Sequence, residues 1–302
     1  MNSTSVYGLR MTGLLAVLSC TTVLHADEPL TMAAVIESSQ PSDWRPLDQD
    51  RLLYMKLPGG QVVFELAPEF APRHIDNLRK LVTQKYFDGL AIIRSQDNYV
   101  VQWGDPAAGE EGRRAYGTAA SSLLPEFYRK SEGLEFSRLD SRDAYAEEVG
   151  FVAGFPAGRD SRGSWLAHCY GMLGVGRDNE PDSGSAAELY VVTGHAPRHL
   201  DRNVTLIGRT VSGIEHLSSL PRGTGTLGFY ESEDEYTSIV SLRFGSDLDA
   251  GDRTEFEALR TDTPTFGKFV EARRARREEW FVDPAGHVEL CNVPLPVRTV
   301  TQ

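Results

Sequence analysis

Arg51-Leu-Leu-Tyr-Met-Lys-Leu57 and Gln61-Val-Val-Phe-Glu-Leu66 flank Pro58-Gly59-Gly60, and this stretch commits the chain to β structure. Two runs rich in β-branched and aromatic residues, joined by turn formers, predict a hairpin. Outward from it, Pro72 opens a segment with Ile75, Leu78, Leu81 and Val82 on one side, the stripe of an amphipathic helix with proline in its first turn. Further strands are expected at 90–94, 99–103, 171–176, 189–193, 205–211 and 236–244, with a short helix over 213–220 that stops at Pro221. Many strands with only two helices favour an antiparallel barrel or sandwich over an alternating α/β sheet, so the fold class is mainly β.

The flanks are less regular. Residues 27–47 read as a polar leader with Pro29, Pro41 and Pro46, expected to be poorly packed. Residues 105–168 form a long Gly-, Arg- and Glu-rich insertion in which Gly150-Phe-Val-Ala-Gly-Phe-Pro156 is a candidate strand. The domain proper runs over 48–244, and a partly helical C-terminal extension follows over 245–302. There Thr263-Pro264 looks like a helix start, and Phe266, Phe269, Val270, Trp280 and Phe281 make an apolar stripe opposite the basic run 273–277.

The first residues read as a secretory signal over 1–26: Arg10, the apolar run 11–24, then His25-Ala26 before Asp27. Cleavage after Ala26 places the mature chain in the periplasm or outside the cell, with no integral membrane span left, because a spanning helix needs about 20 apolar residues. A lipoprotein signal with Cys20 as the lipidated residue is the alternative. The mature chain then holds Cys169 and Cys291, which either bridge or remain as buried thiols.

Composition narrows the function. A hydrophobic share of 40% and a charged share of 25% describe an ordinary soluble globule. The formal net charge of -12 repels nucleic acid and names no specific partner. Gly223-Thr-Gly-Thr-Leu-Gly228 matches a phosphate-loop pattern but follows a helix and Pro221 where a strand is required, so it reads as a turn. His195 and His199 have the spacing of a metal pair on a helix, and Pro197 between them breaks that helix. No Gly-x-Ser-x-Gly elbow is present.

What remains is a set of ordered segments: Tyr86-Phe87-Asp88-Gly89, Arg94, Gln102-Trp-Gly-Asp-Pro106, Gly171-Met-Leu-Gly-Val-Gly-Arg177, Pro181-Asp-Ser183, His199-Leu-Asp201 and Gly208-Arg-Thr-Val-Ser-Gly-Ile-Glu215. In order and spacing these resemble the cyclophilin family of peptidyl-prolyl cis-trans isomerases over about 50–244. The resemblance implies a closed eight-stranded antiparallel barrel capped by two helices. It also implies proline-containing polypeptides as substrates, and the signal-like segment makes these exported proteins.

Rotation about an Xaa-Pro bond faces a barrier of about 20 kcal/mol because the C–N bond is partly double. Catalysis therefore means preferring the twisted state, and neither nucleophile nor metal nor cofactor is needed. A guanidinium donating to the imide nitrogen, beside an apolar pocket that grips the proline ring, is sufficient. The resemblance assigns the guanidinium to Arg94 and a substrate-backbone contact to Gln102. Tyr99, Val100, Leu189 and Leu200 fall at pocket positions, Gly176 at the small residue before a backbone contact, and His199 at the aromatic rim. The family's Ser-Gln-Phe-Phe run is matched here to Ala186-Ala187-Glu188-Leu189, which loses a glutamine, and Val204 stands where many members have histidine. These departures keep open a second reading, a catalytically weak or inactive binding or chaperone module on the same barrel.

Overall fold

The computed structural model describes Met1, residues 30–109 and residues 111–300. The signal segment, Ala26 and Cys20 lie outside the described residues, apart from Met1.

Chain order begins with helix α1 (Met32–Glu37), strand β1 (Trp44–Pro46) and the expected hairpin, β2 (Leu52–Leu57) and β3 (Gly60–Leu66). Helix α2 (Pro72–Thr83) follows, with proline at its start and Ile75, Leu78, Leu81 and Val82 buried as the spacing predicts. Next come β4 (Ala91–Ser95) and β5 (Val100–Gly104), then four strands inside the insertion: β6 (Ser137–Leu139), β7 (Glu148–Val152), β8 (Phe155–Asp160) and β9 (Gly163–Leu166). The central part ends with β10 (Met172–Val175), β11 (Leu189–Val192), β12 (Leu206–Ser212), helix α3 (Glu215–Ser218), β13 (Thr237–Ser238) and β14 (Ser241–Phe244). The extension supplies β15 (Phe256–Leu259), α4 (Pro264–Ala275) and β16 (Val297–Thr299).

The central sheet is antiparallel with the order β13-β4-β5-β11-β10-β12-β3-β2-β14. It is a curled sheet of nine strands in a linear hydrogen-bonded order, where the resemblance implied a closed ring of eight. The difference lies in the expected strand 236–244. It breaks at Ile239-Val240, so that β13 pairs with β4 while β14 pairs with β2.

Each long strand is buried on both faces. One face, with Leu53, Phe64, Val101, Trp103, Leu173, Leu189 and Ile207, packs with α2 and Leu217 of α3 into the main core. Val100, Met172, Tyr190, Val192 and Leu206 face the other way, into a second core completed by Phe151 and Phe155 of the insertion and Phe266 and Phe269 of α4. Full burial of each such side chain contributes roughly 1.5–3 kcal/mol, so the second core is a major stabilising element.

Three expectations change here. The leader is packed over its described residues, 30–47: Thr31 caps α1, Val35 and Trp44 join the second core, and β1 pairs with β15 in a three-stranded sheet β1-β15-β16. Its few apolar residues suffice because the extension provides their partner. Within the insertion, the expected single strand at 150–156 is a hairpin, β7 and β8, turning at Ala153 (φ 48°) and Gly154 (φ 85°). Positive φ at both turn positions matches the right-handed twist of the strands, and glycine takes it without steric cost. The apolar stripe of the extension ends with α4: Phe266, Phe269 and Val270 are buried, whereas Trp280 is 81% exposed. Thr263 does cap α4, accepting from the Phe266 amide.

Cys169, just before β10, and Cys291 in the extension form a disulfide, with Cα atoms 5.0 Å apart. Among the described residues no helix is long and apolar enough to cross a membrane.

Candidate active site

β4 and β5 put Arg94 directly across from Gln102, after a bulge that re-aims the β4 backbone between Ile92 and Arg94. The guanidinium is half-buried and held from three sides. Nη1 donates to Gln102 Oε1 at 2.8 Å, Nε to the Leu227 carbonyl at 2.7 Å, and Nη2 to Gln96 Oε1. Tyr99 and Phe229 rings flank it at 5.6 and 5.2 Å. A guanidinium carries five N–H donors, so two remain for a ligand. Burial lowers the Arg94 pKa, and a guanidinium remains charged in proteins.

Arg94 borders a cavity of about 270 Å³. Tyr99, Val100, Gln102, Gly176 and Leu200 line it too, so six of the eight sequence-assigned residues converge. His199 stands outside it as an exposed rim residue, its ring parallel to Tyr99 with centroids 6.5 Å apart. Leu189 does not belong to the cavity. It is fully buried in the main core opposite Trp103, on the reverse face of β11.

Tyr190 takes the place assigned to Leu189. Successive residues of a strand point to opposite faces, and Tyr190 pairs with Gln102, which already faces the cavity. The register of β11 against β5 sets that parity, and it is fixed by the tertiary structure. Val175, Arg177 and Val204 complete the wall. Gln96, Leu227 and Phe229 carried no sequence signal for this role; the turn 223–228 brings the Leu227 carbonyl to Arg94.

Glu188, one residue before Leu189, is the second feature that parity places on this side. Gln102 Nε2 donates to its Oε1, so one carboxylate is tied into the Arg94–Gln102 pair. Burial pushes the Glu188 pKa above the usual carboxylate range, and the Gln102 hydrogen bond only partly offsets this. Among the described residues no cluster of three or more His, Cys, Asp or Glu side chains is placed to hold a metal ion.

A barrel-like sheet carrying an arginine beside an aromatic and aliphatic cavity fits the family resemblance, and comparison with known proteins decides it. The family model described as "Cyclophilin type peptidyl-prolyl cis-trans isomerase/CLD" matches residues 52–240. The chain belongs to the cyclophilin family. A probable peptidyl-prolyl cis-trans isomerase of Brucella suis is 23% identical over 177 residues, covering 59% of this chain and 74% of that protein. Peptidyl-prolyl cis-trans isomerase B of Bacillus subtilis is 25% identical over 166 residues, covering 55% of this chain and 86% of that protein. Among solved structures, cyclophilin AquaCyp293 from Hirschia baltica superposes with a TM-score of 0.68 at 26% identity, covering 89% of this chain and 97% of that one. Such coverage reaches well beyond 52–240, so the likeness takes in elements outside the family span. Membership in this cyclophilin family makes the chain an enzyme of the peptidyl-prolyl cis-trans isomerase class.

Proposed function

We propose that this cyclophilin isomerises Xaa-Pro bonds in exported polypeptides, with Arg94 stabilising the twisted imide. The supporting observation is the pairing of a charged, immobilised guanidinium with a cavity whose walls are Tyr99, Val100, Tyr190 and Leu200. As the bond twists, the imide nitrogen gains a lone pair and can accept an N–H, whereas the planar ground state cannot. A donor already fixed by Gln102, Gln96 and Leu227 needs no reorganisation to meet it. Tyr99, Val100, Tyr190 and Leu200 hold the proline ring, Gln102 and Gly176 face the substrate backbone, and His199 borders the mouth. Residues 237–244 act as the seam through which the curled sheet closes on itself.

Export is supported by the signal-like 1–26 segment and by the Cys169–Cys291 bridge, since disulfides persist in oxidising compartments. The second reading, a weak isomerase that acts mainly as a binding module, draws on Glu188. Its carboxylate occupies Gln102 and offsets the charge of Arg94. A protease-coupled isomerisation assay on proline tetrapeptides separates the two readings. Arg94→Ala should lower turnover by about 10²-fold with the melting transition retained. Equal activity in wild type and Arg94→Ala would remove Arg94 from the mechanism, and an inactive wild type would leave the binding module.

A further inference from the structure

Tyr190 shows its ring to the cavity and hides its hydroxyl. The ring lies across Gly174, where an added Cβ would stand 2.3 Å from Cζ, so only glycine admits it. Past Gly174 the hydroxyl meets His168 Nε2 at 2.9 Å. His168 is fully buried, and its Nδ1 lies 2.9 Å from Asp201 Oδ1. An ionised carboxylate can only accept, so Nδ1 carries the imidazole proton, Nε2 is the acceptor, and the tyrosine hydroxyl donates to it.

The rest of the chain of contacts fixes Asp201. It also accepts from the His168 amide at 2.9 Å, Trp165 Nε1 at 3.3 Å and Arg198 Nε at 2.6 Å, and Arg198 is clamped by Asp143 at 2.8 and 3.1 Å. Burial lowers the His168 pKa and raises that of Tyr190, keeping one a neutral acceptor and the other a donor. Burial alone would raise Asp201; the His168 hydrogen bond and Arg198 outweigh it, so the carboxylate stays ionised.

We propose that His168 is a positioning residue for the prolyl site: by accepting the Tyr190 hydroxyl it keeps that group out of the cavity and presents only ring carbon to the proline, with Asp201 fixing the tautomer. This rests on the assignment of the cavity to prolyl substrates. Without the acceptor, a buried hydroxyl must turn toward the cavity or draw water into it, and either weakens an apolar grip.

The test measures kcat and KM for a proline tetrapeptide, with melting curves, in five proteins: wild type, His168→Leu, His168→Gln, Tyr190→Phe, and Tyr190→Phe combined with His168→Leu. Asp201 keeps three donors when His168 is replaced, so its carboxylate is not orphaned. His168→Leu should raise KM about five- to tenfold with kcat within about twofold, by the usual effect of leaving one buried polar group unpaired. His168→Gln, whose amide oxygen can accept the hydroxyl, should lose less. Deleting the hydroxyl in the double variant should bring KM back to within about twofold of wild type.

A purely structural histidine predicts the opposite, a double variant as impaired as His168→Leu or more so, and that result overturns the proposal. Should His168→Leu not fold, nitrogen-15 imidazole shifts decide: unprotonated Nε2 in wild type, moving on Tyr190→Phe, supports it, and protonated Nε2 sinks it. A wild type without isomerase activity removes the activity assignment alone. The tetrapeptide affinities of the five proteins, titrated by NMR, then have to follow the same order, and a flat series overturns the positioning role.

Discussion

Reducing the Cys169–Cys291 disulfide tests how the extension is held. The bridge closes a loop of 122 residues. In the chain-entropy description a cross-link removes about 2.1 + 1.5R ln n cal/mol/K from the unfolded chain, which for this loop comes to about 5 kcal/mol at 25 °C. Reduction adds a hydrogen to each sulfur and removes no heavy atom, so packing around the 5%-exposed Cys169 needs only a small adjustment and the effect falls mainly on the unfolded state. The folded extension keeps its other attachments, β15 against β1 and the α4 phenylalanines in the second core. Urea unfolding followed by tryptophan fluorescence, with and without reductant, should therefore show a loss approaching 5 kcal/mol. Below the unfolding range isomerisation should persist, because the contacts that hold Tyr190 run through His168 and Asp201 and involve no sulfur. Unfolding free energies that agree to within about 1 kcal/mol between the two states would refute the entropic reasoning.

Glu188→Gln should raise kcat/KM about three- to tenfold, since it frees Arg94 from a neighbouring negative charge; a lower value would show that the carboxylate helps to shape the site. The wild type should gain activity as pH falls through the raised Glu188 range, which begins above the ordinary value of 4.5, while Glu188→Gln stays flat there. Stability should follow the opposite carboxylates. For Asp201 and Glu126, burial is outweighed by hydrogen bonds from His168 and His74, which hold both folded pKa values down. Their contribution is thus present above the unfolded values of 3.8 and 4.5 and is lost as pH drops through the folded ones. Melting temperatures that do not decline between pH 5 and pH 3 would contradict this. Arg94→Lys should be nearly as poor as Arg94→Ala, because a point charge cannot reach Gln102, Gln96 and Leu227 together; full activity would show that charge alone suffices. Intact mass of the envelope fraction should begin at Asp27, and retention of residues 1–26 would contradict export.

Local chemistry was enough to read the hairpin at 51–66, the α2 stripe and the Thr263 cap, because each depends on neighbours a few residues away. The convergence of Arg94 with Gln102 had a different source. Both residues were assigned to the site by the family resemblance, and the structure pairs them across adjacent strands β4 and β5. The residue order along 86–215 likewise sufficed to identify the family.

Which of Leu189 and Tyr190 faces the cavity was a matter for the tertiary structure. Strand direction is readable when one face is polar, but β5, β10 and β11 are buried on both faces, so no alternation marks inside from outside. The outer face is buried because the insertion, a long excursion between β5 and β10, and the extension at the C-terminal end fold back over it. Distance along the chain also hid the packing of the leader against β15, the Cys169–Cys291 bridge and the convergence of Asp143, His168, Arg198 and Asp201 beneath Tyr190. Sequence by itself determined which chemical groups the strands of this cyclophilin carry; the covering of the sheet's outer face decided which of them line the cavity, because burial removes the polar pattern from which orientation is read.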